Sequence, residues 1–223
     1  LASRTPQIGL WLASAEAAMA EIVTTANFDW LVLDGEHAPN DLRSLRDQLM
    51  VVDPSDSHAV VRIPIGEAWM VKQVLDAGAQ TVLVPMVDTA QDASDMASAM
   101  RYPPRGIRGM GASGGRVSGF GAIADYVQTA NDQVCLIVQA ESRKSLENLD
   151  EILTVDGVDG VFIGPADLSA DMGYPGNAAA PEVQEAIADA IRRIAASEKA
   201  AGILALDLDS ARHYLDLGAT FVA

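Results

Sequence analysis

The chain is poor in the residues that would commit it to several kinds of chemistry. It has 223 residues with one cysteine, three histidines and three lysines. A lone thiol cannot close an internal disulfide, and Cys135 lies inside an apolar run, where it reads as a small core residue. No apolar stretch approaches the roughly 20 residues of a membrane span. No signal peptide is visible, although the chain opens on Leu1 rather than methionine. The expected location is a reducing cytoplasm. Positive charge is scarce as well: 15 Lys and Arg stand against 31 Asp and Glu, a net charge of −16 with a pI near 4.3. That balance argues against a nucleic-acid groove or an anionic membrane surface as partner. The lysines exclude one route to carbonyl chemistry. A Schiff-base aldolase needs a lysine inside the fold, normally on a strand, whereas Lys72, Lys144 and Lys199 all fall in helical or helix-flanking segments.

What the chain does have is apolar content, 49% of its residues, with a mean hydropathy of +0.15. The apolar residues come in short runs separated by helix-length amphipathic segments. The runs are Gln7–Leu12, Trp30–Asp34, Ala59–Arg62, Thr81–Val84, Val134–Val138, Gly160–Ile163, Ile203–Leu206 and Thr220–Val222. Helices are expected at Glu16–Thr25, Asp41–Val52, Ala68–Ala77, Ala90–Met100, in the run ending near Leu153, at Pro181–Glu198 and at Ser210–Leu217. Eight strand–helix alternations with buried-looking strands predict an α/β fold, a single (β/α)8 TIM barrel over residues 1–223. The chain stops inside the last strand, so that strand is truncated and the final helix is absent. Truncation or loss to disorder is expected, leaving an apolar groove for a neighbouring subunit.

The longest irregular segment is 101–121. Gly109-Met110-Gly111-Ala112-Ser113-Gly114 matches a dinucleotide fingerprint in form. It follows a Tyr-Pro-Pro turn rather than a strand and does not clearly open a helix, so it is rejected as such. The segment reads as a lid or a subunit contact.

The strand ends carry the chemistry. In a parallel barrel the C-terminal ends of the strands open on one face, and ligands bind there. Glu141 follows the fifth run and Asp167 the sixth, one strand apart, which places oxygen ligands for a hard divalent cation with open positions left for substrate. The competing reading is that both acids cap helices. Gln139 shares the parity of Glu141 and points the same way. Gly164-Pro165-Ala166-Asp167 offers backbone amides to an anion. His37, three residues after Asp34, is placed to act as a base whose tautomer the carboxylate fixes, or simply to cap the next helix. Arg62 ends its strand where core alone would call for an apolar residue. It could bind a carboxylate or an oxyanion, or form a structural ion pair with Glu141, Asp34 or another acid.

Together FDWLVLDGEHAPND, VVRIP, VLDAGAQTVLVPMV, YPPRGIRG, VQAES and GVFIGPADLSADMGYPGN resemble the class II pyruvate aldolases of the HpcH/HpaI family, from about Gln7 to Ala223. The resemblance implies a metal-dependent carbon–carbon lyase that joins and cleaves 4-hydroxy-2-oxo acids, with a 2-oxo acid donor (pyruvate or hydroxypyruvate) and an aldehyde acceptor. It implies Glu141 and Asp167 as ligands of Mg²⁺, Mn²⁺ or Co²⁺, Arg62 on the enolate oxygen, and Gln139 beside the metal. It further implies His37 with Asp34 for the proton, and the amides around Ala166 and Asp167 for the donor carboxylate. Trp11 is then beside the pocket and Asp76 reaches a neighbouring subunit's site, in a homohexamer. The rival readings are a citrate-lyase-type enzyme acting on acyl thioesters and a non-catalytic barrel. The chain departs from the family pattern at Gly115-Arg116-Val117-Ser118-Gly119, where an Ala-Arg-Ala-Ser-Arg run is common, and at Ala205–Ala211. Both regions shape acceptor binding or assembly.

Overall fold

The computed structural model describes residues 5–223. The elements in order are β1 (Gln7–Leu12), α1 (Ala17–Thr24), β2 (Trp30–Asp34), α2 (Leu42–Val52), β3 (His58–Arg62), α3 (Ala68–Asp76), β4 (Thr81–Val84), α4 (Ala90–Met100), α5 (Tyr126–Thr129), β5 (Cys135–Ala140), α6 (Arg143–Glu147), α7 (Leu149–Leu153), β6 (Gly160–Ile163), α8 (Pro165–Asp171), α9 (Pro181–Ala196), β7 (Ala200–Ile203), α10 (Leu208–Asp216) and β8 (Phe221–Val222). The strands follow one another in chain order as a closed barrel, β1 to β8, which is the expected (β/α)8 topology. No helix among the described residues is long and apolar enough to cross a membrane.

The chain divides into two compact units. One runs over residues 9–84 and 95–136 and holds β2, β3 and β4. Their parallel register puts Asp34 opposite Arg62, and Arg62 opposite Leu83. Every residue of β2 is buried, as a strand covered on both faces requires. Asp41 caps α2, its carboxylate accepting from the amides of Arg43 and Ser44 while its own backbone N–H donates to the Ser44 hydroxyl oxygen. Gly78 closes α3 with φ +115, a conformation that a Cβ would strain.

The other unit contains residues 85–94 and 137–223 and is built on β6, β7 and β8. In this unit Gly160 to Ile163 pairs with Ile137 to Ala140 on one side and with Ala200 to Ile203 on the other. Helix α9 lays Val183, Ile187, Ala190, Ile191 and Ile194 along one buried stripe at helical spacing.

The structure shifts some boundaries. The seventh strand is Ala200–Ile203, three residues ahead of the expected Ile203–Leu206, and Leu206 is 91% exposed. Small residues carry this strand: a Cβ on Gly202 would press on the Phe162 ring and on the Phe221 carbonyl, so it is the close approach of its neighbours that these residues permit. The helix expected to end near Leu153 is broken at Asn148 into α6 and α7, with Asn148 donating its side-chain amide to the Asp88 carbonyl. Helices α5 and α8 lie in segments to which the sequence reading assigned no helix. Among the described residues no lysine lies in a strand, although Lys199 immediately precedes β7.

Candidate active site

The first group of site residues is built on β1, β2 and β3. Arg62 and Asp34 end adjacent strands in register, and the guanidinium meets the carboxylate in a fork, Nε to Oδ1 at 2.8 Å and Nη2 to Oδ2 at 2.7 Å. The third nitrogen, Nη1, lies 2.8 Å from Glu36 Oε2. The guanidinium carbon stands 5.0 Å from the Trp11 ring centroid, a cation–π contact that fixes the plane of the fork. Asp34 is 2% exposed and Arg62 8%. Three of the five guanidinium N–H groups are thereby used, and two remain for a ligand oxygen.

The turn after β2 wraps round Asp34. The amides of Glu36 and His37 donate to Oδ1 at 3.0 and 3.3 Å, and the Asn40 side chain donates to the Asp34 carbonyl at 2.8 Å. Gly35 is required here because a Cβ would strike the Arg62 carbonyl. Asp34 therefore meets His37 through the backbone N–H, and the imidazole itself has Glu36 Oε1 3.8 Å from its Nε2. Glu36 received no role from sequence. Its position between Asp34 and His37 was the available signal.

Burial alone would raise the Asp34 pKa. The hydrogen bond and charge of Arg62, with the amides of Glu36 and His37, outweigh it and hold the carboxyl below its ordinary value of 3.8. A depressed pKa contributes stability that is complete above the unfolded-state value and is lost as pH falls through the folded one. Urea-unfolding midpoints measured from pH 6 downward should therefore fall below about pH 4, where carboxyls of ordinary pKa begin to protonate. In Asp34→Asn that part of the acid dependence should be missing.

The second group is built on β5 and β6. Glu141, 2% exposed, follows β5 directly; its Oε1 accepts from the Met86 amide at 2.7 Å and its Oε2 from Gln139 Nε2 at 2.6 Å. Met86 presents that amide from a φ of +54, and strained backbone of this kind persists where surrounding contacts over-determine it. The other end of the Gln139 amide, Oε1, is buried with no hydrogen-bond partner among the described residues. Gly164 lies against Glu141, and a Cβ there would collide with the carboxylate.

Asp167 stands in the first turn of α8, exposed, with its side chain in no hydrogen bond or ion pair among the described residues. Pro165 opens this helix, and the first bond within it runs from Leu168 N to Gly164 O. The amides of Ala166 and Asp167 are thus left as donors at the helix start.

Two carboxylates, Glu141 engaged by Met86 N and Gln139 Nε2 and Asp167 open, together with the orphaned Gln139 Oε1, are oxygen donors of the kind a hard divalent cation takes. No group of three or more His, Cys, Asp or Glu able to hold a metal occurs among the described residues, so the remaining positions would fall to water and substrate oxygens.

Asp76 ends α3 and pairs with Arg108, Nη2 to Oδ1 at 3.0 Å, while Arg108 stacks over Tyr102 at 4.4 Å. A cavity of about 540 Å³ opens at the N-terminal ends of β3 and β4, but its arginine, Arg116, is spent on Asp53 and on the Ala77 carbonyl.

A sequence profile described as HpcH/HpaI aldolase/citrate lyase matches residues 7–223. A hydroxypyruvate/pyruvate aldolase of Agrobacterium fabrum is 63% identical over 98% of this chain and 82% of its own length. A 2-keto-3-deoxy-L-rhamnonate aldolase of Escherichia coli is 57% identical over 97% of this chain and 81% of its own. Among solved structures, an HpcH/HpaI aldolase/citrate lyase family protein from Burkholderia cenocepacia superposes with a TM-score of 0.95 at 40% identity, covering 98% of this chain and 87% of that one.

Proposed function

The chain belongs to the HpcH/HpaI aldolase/citrate lyase family, and from that premise we propose that it is a divalent-metal-dependent class II aldolase. It cleaves 4-hydroxy-2-oxo acids reversibly into a pyruvate or hydroxypyruvate fragment and an aldehyde. The observation that carries the reading is the second carboxylate group: Glu141 held by the buried Gln139 amide and the part-buried Met86 N–H, with Asp167 left open three residues beyond Gly164.

Glu141 and Asp167 hold the cation, of which Mg²⁺, Mn²⁺ and Co²⁺ all suit oxygen ligands, and the Gln139 amide borders it. Such a cation, when bound, polarises the donor's keto group and lowers the cost of removing a C3 proton. The rest of the chemistry belongs to the chain. Arg62 offers its two remaining N–H groups to the enolate oxygen, and Asp34 locks the guanidinium so that the donors are aimed before charge develops. His37 carries the proton: in cleavage it takes the proton of the C4 hydroxyl, and in addition it returns one to the aldehyde oxygen. The Ala166 and Asp167 amides, with Gly164 and Pro165 shaping the turn, receive the donor carboxylate. Trp11 borders the pocket and Asp76 serves a neighbouring subunit's site in a homohexamer.

Deuterium exchange at pyruvate C3, followed by NMR without any aldehyde, tests this directly. Exchange should require Mn²⁺ or Mg²⁺ and should stop with EDTA. No exchange by folded, metal-supplied protein on either pyruvate or hydroxypyruvate would sink the assignment.

A further inference from the structure

Both oxygens of the Asp34 carboxylate are engaged. It accepts Arg62 Nε and the amides of Glu36 and His37 on Oδ1, and Arg62 Nη2 on Oδ2. Oδ1 is thus crowded with three donors, and the bond Asp34 makes to His37 goes to the backbone N–H; among the described residues no ion pair joins Asp34 to the imidazole. The carboxylate that faces the ring is the neighbouring one. Glu36 turns Oε1 toward His37 Nε2 at 3.8 Å and Oε2 toward Arg62 Nη1 at 2.8 Å, and its side chain is only 16% exposed.

We propose that Glu36 is a positioning residue for the aldol reaction, one carboxylate that ties the proton-carrying imidazole of His37 to the oxyanion-binding guanidinium of Arg62. The inference rests on the metal-dependent aldolase reading above and assigns within it a residue that reading leaves idle.

The imidazole is 65% exposed on its side chain, so packing alone does not hold it, and a ring without an anchor spends little time oriented for proton transfer. An Nε2–H directed at Glu36 selects one tautomer and leaves the Nδ1 lone pair as the base. In cleavage the C4 hydroxyl proton passes to Nδ1, the O–H electron pair becomes the aldehyde C=O, and the C3–C4 pair remains on the donor as the enolate. The ring is then cationic, and a half-desolvated carboxylate beside it stabilises that cation as the enolate charge grows against Arg62. The 3.8 Å separation is long for a hydrogen bond, and contacts of this kind tighten when substrate orders the site. The charged groups gathered here are Asp34, Glu36 and Arg62, so one cation meets two anions and a protonated His37 brings the cluster to balance.

A double-mutant cycle of Glu36→Gln and His37→Asn tests the assignment, with wild-type enzyme assayed first for metal-dependent cleavage of a 4-hydroxy-2-oxo acid. Glutamine keeps an acceptor for Arg62 and removes the charge. Glu36→Gln should lower kcat by about 10- to 100-fold, within the range general acid–base groups contribute, with KM for the oxo acid within about twofold. With His37→Asn already in place it should add less than about threefold, because its effect runs through the ring. An equal loss in both backgrounds, or an unchanged kcat, would overturn the proposal. Should the glutamine variant fail to fold, Glu36→Asp enters the same cycle and is read the same way. Wild-type enzyme with no metal-dependent turnover would instead overturn the aldolase reading, and this inference with it.

Discussion

Arg62→Lys should lower kcat/KM by about 10²–10³-fold even though the positive charge is kept, because removing one well-aimed oxyanion donor has an effect of that order. Lysine offers a point charge on a flexible stem. It cannot make the two parallel bonds to Asp34, contact Glu36 and still present free N–H groups in a fixed plane. The loss should fall on kcat more than on KM, since the contact strengthens as the enolate forms. Stability should suffer too. Arg62→Ala would strand a carboxylate that is 2% exposed, and breaking a buried pair in this way typically costs about 3–5 kcal/mol. Lysine should recover part of that cost and little of the rate. Parallel urea titrations and steady-state kinetics on the two variants separate the effects. If lysine restored the rate as fully as the stability, Arg62 would be an ion-pair partner and no more.

The sequence made the barrel legible because most of its strands are buried on both faces, and such strands read as unbroken apolar runs. WLVLD and GVFI were found with the bounds the structure gives them. AAGI escaped because it is built of small residues whose value lies in the close approach of Phe162 and Phe221, and hydropathy does not measure clearance. Polar residues at strand ends were equally legible: Asp34, Arg62 and Glu141 are buried charges, and a charge is buried only where something answers it. What answers each was not legible. Whether Asp34 reaches the His37 ring or its amide depends on how tightly the Gly35 turn folds back on the Arg62 carbonyl. The Met86 amide, donated to Glu141 from 55 residues away, has no signal in the chain at all.

Glu141 and Asp167 should behave alike in metal binding and differently in stability, and the difference comes from their partners. In either alanine variant, titration with Mn²⁺ followed by electron paramagnetic resonance should show loss of the bound ion. Turnover should drop by at least about 10³-fold, because Lewis-acid stabilisation is worth several kcal/mol in the transition state. Without metal the two diverge. Asp167→Ala removes an exposed side chain with no hydrogen-bond or ion-pair partner among the described residues and an interaction with one short helix start, roughly 0.3–1 kcal/mol, so its melting temperature should stay close to wild type. Glu141→Ala leaves the Met86 amide and Gln139 Nε2 without their acceptor, at about 1–3 kcal/mol for the buried Gln139 donor and less for the part-buried Met86 amide, and it frees Met86 from the contact that holds its positive φ. Its melting temperature should fall in the presence of EDTA as well as of metal. Wild-type protein should in turn gain about 2.7 kcal/mol at a metal concentration 100 times Kd, a gain both variants lose. A Glu141→Ala protein as stable as wild type in EDTA would mean that the carboxylate is no keystone of its strand end, and a metal-induced stabilisation surviving in Asp167→Ala would place the second ligand elsewhere.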